Sequence, residues 1–301
     1  MNVAVTGASG LVGTALSASL ATDGHRVVPL VRGSRAAEGA IAWDPMAGTI
    51  DARGLDGIDA VVHLAGEGLA QKRWTPEQKA RIRDSRSRGT GTLARALAEL
   101  DTKPAVLVSA SAVGWYGNRG DEELTEASAP PADPDFLSEV CRAWEDATQP
   151  AQDAGIRTVH LRTGMVLAAH GGALQRMLLP FKLGLGGRIG SGSQYMSWIS
   201  IDDEVGAIRY ALDTPSLEGP VNATGPAPVT NAEFAKTLGA ALHRPTLLPT
   251  PMAPLKAVYG PELVQHLLLD GQRVLPDALQ RAGFRHRHPT LAAALAAVIN
   301  T

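Results

Sequence analysis

The chain has 301 residues, with 28 Lys plus Arg against 30 Asp plus Glu and a formal net charge of −2. That balance lacks the basic excess of a dedicated nucleic-acid binder, and 45% hydrophobic with 19% charged residues is an ordinary globular mixture. One cysteine, Cys141, excludes an intrachain disulfide and a multi-cysteine zinc site, and no apolar run reaches the roughly 18 residues that span a bilayer.

The chain opens directly on strand-like Asn2-Val3-Ala4-Val5, with no cationic leader. The expectation is a cytoplasmic protein with a small-molecule substrate and neither nucleic acid nor membrane as partner. Its oligomeric state leaves no mark in the sequence.

Short β-branched runs at Val3–Val5, Val27–Val31, Ala60–Leu64, Ala105–Val108 and Thr158–Leu161 read as strands buried on both faces of a parallel sheet. Between the first two, Leu11, Val12, Ala15, Leu16 and Leu20 share one helical face. Later Ile82, Leu93 and Leu97 do the same, behind Thr75-Pro76-Glu77, where Thr caps and Pro fills the first turn. This alternation predicts an α/β fold with a doubly wound parallel sheet. Beyond about residue 165 the rhythm loosens. Gly184–Gly192 has no period; Ser197–Ile201 reads as a strand, 202–212 as a helix and Gly219–Gly225 as a strand. A helix follows Thr230-Asn231, proline-dense Pro245–Pro254 reads as a crossing loop, and Leu291, Leu295 and Val298 line a last helix over 290–299.

Thr6-Gly7-Ala8-Ser9-Gly10-Leu11-Val12-Gly13 joins the first strand to the first helix. Glycine lets the backbone turn sharply and approach a pyrophosphate, while the helix start offers free N–H groups to the anion. The spacing is G-x-x-G-x-x-G, and its strand–turn–helix context is what the chemistry requires. At the end of the second strand, Val31-Arg32-Gly33-Ser34-Arg35 has no acid to read a ribose 2′-hydroxyl. Arg32 and Ser34 suit a 2′-phosphate, so the expected cofactor is NADP(H), although Arg32 can also be a solvated loop charge.

With these residues in view, the chain resembles the extended short-chain dehydrogenase/reductases, through the Thr6–Gly13 turn and Asp59-Ala60-Val61-Val62-His63-Leu64-Ala65-Gly66. Lys72-Arg73-Trp74, Ser109-Ala110-Ser111-Ala112-Val113-Gly114-Trp115-Tyr116-Gly117, Ser197-Trp198-Ile199 and Leu267–Pro276 resemble a narrower group, the atypical "epimerase family" proteins. The resemblance implies a Rossmann domain over 1–165, with a returning segment near 197–225, and a smaller substrate region interleaved over 166–301. It implies further cofactor contacts at Leu64, Ala65, Gly66, Glu67, Arg86, Ser109 and Arg162.

The same resemblance implies a Tyr-x-x-x-Lys pair on the helix after the fourth strand, in which the Lys cation lowers the Tyr pKa for proton exchange with substrate. Here Phe136 and Val140 take those places, or Leu137 and Cys141 one register on, and neither register supplies a phenol or an ammonium. The candidates left for catalysis are Ser111 as substrate orienter, Tyr116 as an acid and Glu139 as a carboxyl one helical turn from Phe136. Each has a plain structural role as its alternative. Cys141 reads as a buried thiol and the His286/His288 pair as a solvated basic strand, so no metal site is expected. Two functions remain open: an NADP(H)-dependent oxidoreductase or epimerase on a small hydroxyl, carbonyl or nucleotide-sugar-like substrate, and an NADP(H)-binding sensor or interaction protein without turnover.

Overall fold

The computed structural model describes residues 1–33 and 35–299. The predicted strands form the middle of one sheet: β1 (Asn2–Thr6), β2 (Arg26–Arg32), β5 (Ala60–His63), β6 (Val106–Ala112) and β8 (Arg157–Thr163). β3 (Ile41–Asp44) and β4 (Thr49–Ile50) extend it at one edge, and β12 (Gly219–Ala223) at the other. The order is β12-β8-β6-β5-β1-β2-β3-β4, and every pairing but β3 with β4 is parallel. The β3–β4 hairpin is absent from the sequence reading, because it is a short edge piece whose Ile41 and Trp43 alternate with half-buried neighbours.

Alternate side chains of each strand go to opposite faces. Val3, Val5 and Val62 meet Leu16 and Leu20 of α1 (Leu11–Thr22) and Ile208 of α6 (Ile201–Asp213). Ala4, Val61 and Leu107 meet Leu93 and Leu97 of α2 (Pro76–Glu99), with Ala151 of α4 (Gln149–Asp153) in the same cluster. Helix α2 starts as its sequence predicts: the Thr75 side chain accepts from the Gln78 N–H, with Pro76 at the first helical position. α3 (Phe136–Asp146) lies against α2, and β7 (Glu123–Leu124) lies on the path between β6 and α3.

A third core, around Trp198, Phe234 and Leu295, joins β9 (Met165–Leu167), α5 (Gly172–Lys182), β11 (Trp198–Ser200), α7 (Asn231–Ala241) and α11 (Leu291–Ile299). β10 (Tyr195–Met196) pairs with β13 (Val229–Thr230), and β14 (Arg273–Val274) with β7. The remaining helices are α8 (Met252–Tyr259), α9 (Pro261–Val264), a π-helical turn over Gln265–Leu269 and α10 (Asp277–Arg281). The segment 245–254 is not wholly a loop: the Thr250 N–H donates to the Arg188 carbonyl, and α8 begins at Met252. Among the described residues, no helix is long and apolar enough to cross a membrane.

Candidate functional site

The parallel strands all end on one edge, which is where a doubly wound sheet presents its ligand groups. At the end of β1, Gly7 has φ +66°, a left-handed conformation that favours glycine. A Cβ on Gly13 would lie 2.2 Å from the Gly7 carbonyl oxygen, so the helix packs against its own turn only because that atom is missing. Gly10 is the N-cap of α1 and supplies no side-chain cap, which leaves the first-turn N–H groups available. Ser9 and Gly10 are exposed at the mouth of this cradle, with Leu11 and Val12 half-buried. The geometry fits a pyrophosphate. Arg32 is exposed at the end of β2 with no ion-pair partner among the described residues, and Arg35 is exposed nearby; Ser34 lies outside the described residues.

Thr6 faces inward. Its hydroxyl accepts from the N–H groups of Leu64 and Ala65 at 3.0 and 3.1 Å, and donates to His63 Nδ1 at 2.8 Å. His63 Nε2 lies 2.9 Å from Thr90 Oγ1, so the bonding pattern assigns a neutral imidazole protonated on Nε2. Burial, then the positive charge of Arg86, lowers the His63 pKa to about 4. Thr6 thus ties β1 to β5, and the sequence carried no signal for its partner.

Arg86 is buried beneath Gly66. A Cβ there would meet the guanidinium carbon at 3.2 Å. Its Nη1 donates to the carbonyls of Glu67 and Ile82 at 2.9 and 3.1 Å, and the guanidinium stacks 4.8 Å from the Trp144 ring centre. Glu67 is half-buried, and its carboxylate accepts from Gln78 Nε2 at 3.3 Å. Buried Ser109 has a hydroxyl with no hydrogen-bond partner among the described residues.

The end of β6 holds a different arrangement. Ser111 Oγ donates to Glu145 Oε1 at 2.7 Å. Arg162, on β8, clasps the same carboxylate with two bonds of 2.8 Å. A third nitrogen of Arg162 donates to the Tyr116 hydroxyl at 3.1 Å, which donates to Asn222 Oδ1 at 2.8 Å. The Arg162 guanidinium lies 3.6 Å from the Trp115 ring centre. Burial opposes the charge on Arg162, but the Glu145 bonds hold its pKa above the ordinary value. Burial pushes the Tyr116 phenol upward despite the neighbouring cation. Tyr116 is fully enclosed, so it has no open path to a substrate.

The carboxyl that meets Ser111 is therefore Glu145, six residues past Glu139 and on another face of α3. Glu139 is exposed and lines another cleft. The sequence picks out Glu139 by its place one helical turn from Phe136, whereas Glu145 reaches the Ser111 side of α3. Arg162 is held inside this network and not presented at the sheet edge. Cys141 is buried, with its thiol pushed up to about 12 mainly by burial. Behind the end of β8, buried Glu204 accepts from Thr163 Oγ1 at 2.9 Å, and burial raises its pKa to about 8. His286 and His288 bond the Thr224 carbonyl and Asp202.

The cleft at the start of α3, about 650 Å³, is walled by Trp74, Lys79, Phe136, Glu139, Glu262 and His266 among others. Phe136 meets Trp74 edge-on with ring centres 5.1 Å apart and lies 4.6 Å from Lys79 Nζ. Trp74 in turn stacks on His266, and His266 Nδ1 lies 2.8 Å from Asp270 Oδ2. Neither His266 nor Asp270 was singled out in the sequence reading, because they come from a segment more than a hundred residues from α3.

Comparison with known proteins agrees with this architecture. Residues 3–223 match the model of the NAD dependent epimerase/dehydratase family, and residues 250–298 match a domain of unknown function, DUF1731. The chain is 48% identical over 293 residues to an epimerase family protein of Mycobacterium tuberculosis, covering 97% of this chain and 96% of that one. It is 39% identical over 301 residues to human epimerase family protein SDR39U1, covering 99% of this chain and all of that protein. The crystal structure of human SDR39U1 with NADPH superposes with a TM-score of 0.91 at 38% identity over the full length of both chains. A nucleoside-diphosphate sugar epimerase from Corynebacterium glutamicum gives 0.82 at 40% identity, covering 99% of this chain and 58% of the other. The glycine cradle, the parallel sheet and these matches lead to one conclusion: the chain belongs to the NAD dependent epimerase/dehydratase family.

Proposed function

We propose that this protein is an NADP(H)-dependent oxidoreductase or epimerase-like enzyme acting on a small hydroxyl or carbonyl substrate. The observation that carries the reading is the cradle at Gly7, Gly10 and Gly13, with uncapped N–H groups on α1 and an exposed Arg32 that has no ion-pair partner among the described residues. Ser9, Leu11, Val12, Leu64, Ala65, Gly66 and Glu67 would line the cofactor groove, while Arg86 supports its floor. Thr6, Arg162 and Tyr116 hold the edge together from inside. The NADPH bound by the human relative supports this choice of cofactor. NADP(H), when bound, supplies hydride chemistry; the protein supplies orientation and electrostatics. The division into a Rossmann unit over 1–165 plus 197–225 and a substrate region in the remainder of 166–301 goes with this reading, as does a cytoplasmic setting.

A second reading, binding without turnover, is favoured by one observation: the Ser111 hydroxyl is already given to Glu145, and Phe136 and Val140 offer no proton. The test is to titrate NADPH and NADH into the purified chain, then follow NADPH absorbance with a panel of small aldehydes, ketones and nucleotide sugars. Tighter NADPH than NADH, with slow consumption of NADPH by at least one carbonyl, is expected. Bound NADPH that no compound consumes would decide for the second reading.

A further inference from the structure

The start of α3 and the π-helical turn bring three ligand-type side chains together. Asp135 is the N-cap of α3, His266 lies in the turn over Gln265–Leu269, and Asp270 is the residue that ends it. Such π-helical turns are rare and recur at functional sites. A carboxylate oxygen from each aspartate and a ring nitrogen of His266 all lie within 4.8 Å of one another. His266 Nδ1 is the hub, 2.8 Å from Asp270 Oδ2 and 3.9 Å from Asp135 Oδ2. Two atoms bound about 2.1 Å from one ion lie roughly 3.0–3.4 Å apart at octahedral to tetrahedral angles. Small side-chain shifts therefore bring all three atoms onto one ion.

Each carboxylate is held by one oxygen and offers the other. Asp270 Oδ1 accepts from Gln265 Nε2 at 2.7 Å and from Asn118 Nδ2 at 3.2 Å. Asp135 Oδ1 accepts from the Ser138 N–H at 2.7 Å. The imidazole is oriented by stacking on Trp74, 14° from parallel. Metal ligands are set in place by outer hydrogen bonds of this kind. The charge of the cluster is also uncompensated. The Asp270 side chain is 7% exposed and that of Asp135 22%. Among the described residues neither has a Lys or Arg ion-pair partner, since Lys79 is paired with Glu262 and Arg83 with Asp84. Two carboxylates withdrawn from water around a single imidazole favour a bound cation.

We propose that Asp135, His266 and Asp270 form a divalent-metal site that takes Zn²⁺ and ties the start of α3 to the C-terminal segment. One imidazole nitrogen with two carboxylate oxygens suits Zn²⁺, whereas Mg²⁺ seeks an all-oxygen octahedron, and the two carboxylates neutralise the ion. Without the ion, Nδ1–H donates to Asp270 Oδ2. With it, Nδ1 gives its lone pair to the ion and the ring proton sits on Nε2, which has no hydrogen-bond partner among the described residues. No electron changes hands. Asp135 and His266 also line the neighbouring cleft, so water completes the coordination. The sequence shows no metal-ligand spacing here, because Asp135 and His266 lie more than a hundred residues apart.

Calorimetric titration of Zn²⁺ into the full chain, stripped with a chelator and free of any purification tag, tests it. One equivalent should bind. Asp135→Asn, which keeps a capping side chain for α3, should weaken binding by about 100-fold, as should His266→Gln and Asp270→Asn. Zn²⁺ at a hundredfold excess over its Kd should raise the unfolding temperature of the parent by about 5 °C and leave the three variants unmoved. Anomalous scattering from parent crystals grown with Zn²⁺ should place the ion between Asp135, His266 and Asp270, a result that stands even where a variant fails to fold. A parent that binds no Zn²⁺ below a concentration on the order of 1 mM overturns the site. So does an ion seated elsewhere, or a folded Asp135→Asn or His266→Gln chain that binds like the parent. Neither NADPH nor turnover enters these measurements, so a failure of the enzymatic reading is seen separately.

Discussion

Thr6 and His63 close the β1–β5 end of the sheet with neutral hydrogen bonds, whereas Ser111, Glu145 and Arg162 close the β6–β8 end around a buried ion pair. Both regions lie at the C-terminal edge of the same strands, so their backbone problem is the same. The first end must admit an anion to bare backbone, and it keeps charge away from the immediate strand ends by holding His63 neutral. The second end lacks the tyrosine and lysine that the resemblance implies, and its serine, carboxylate and guanidinium satisfy one another. A site assembled from mutually satisfied groups is rigid but has little left to give a substrate.

Breaking the ion pair should give the largest effect. Glu145→Ala leaves the Arg162 guanidinium buried without its carboxylate, which should cost about 3–5 kcal/mol of folding stability. Urea denaturation of parent and variant measures it. A loss below about 1 kcal/mol would mean that water reaches Arg162 and that the β6–β8 end is not sealed.

Stability against pH sharpens the comparison, because the two ends should fail in opposite directions. His63 has a pKa lowered from 6.5 to about 4, so its contribution is present above 6.5 and is lost as pH falls toward 4. Glu204, behind the end of β8, has a pKa raised from 4.5 to about 8, so its contribution is present below 4.5 and is lost as pH rises toward 8. Across that upper window the loss runs at about 1.4 kcal/mol per pH unit. Glu204→Gln should therefore flatten the alkaline limb of a denaturation series over roughly pH 5 to pH 8 and leave the acid limb in place. An unchanged alkaline limb would show that Glu204 is ionised in the folded chain.

The smallest effect is expected at the open end of the groove. Arg32→Ala should weaken NADPH by about tenfold, or about 1.4 kcal/mol, and leave NADH nearly unchanged. Calorimetric titration reads both. Equal weakening of the two cofactors would assign Arg32 to general attraction and not to the 2′-phosphate.

The sequence by itself determined the parallel sheet, the glycine cradle and the start of α2. Each rests on neighbours a few residues apart: the β-branched runs, the glycines at 7, 10 and 13, and Thr75-Pro76 at a helix start. It also showed the lack of a phenol and an ammonium at positions 136 and 140 and, one register on, at 137 and 141. Tertiary structure alone decided that Glu145, not Glu139, meets Ser111, since the face a helical carboxylate takes depends on what packs around it. It alone gave Thr6 its partner 57 residues away and brought His266 to Trp74 and Phe136. Hydrogen-bond partners distant in the chain leave no spacing to read, because their geometry exists only once the sheet and its helices have packed.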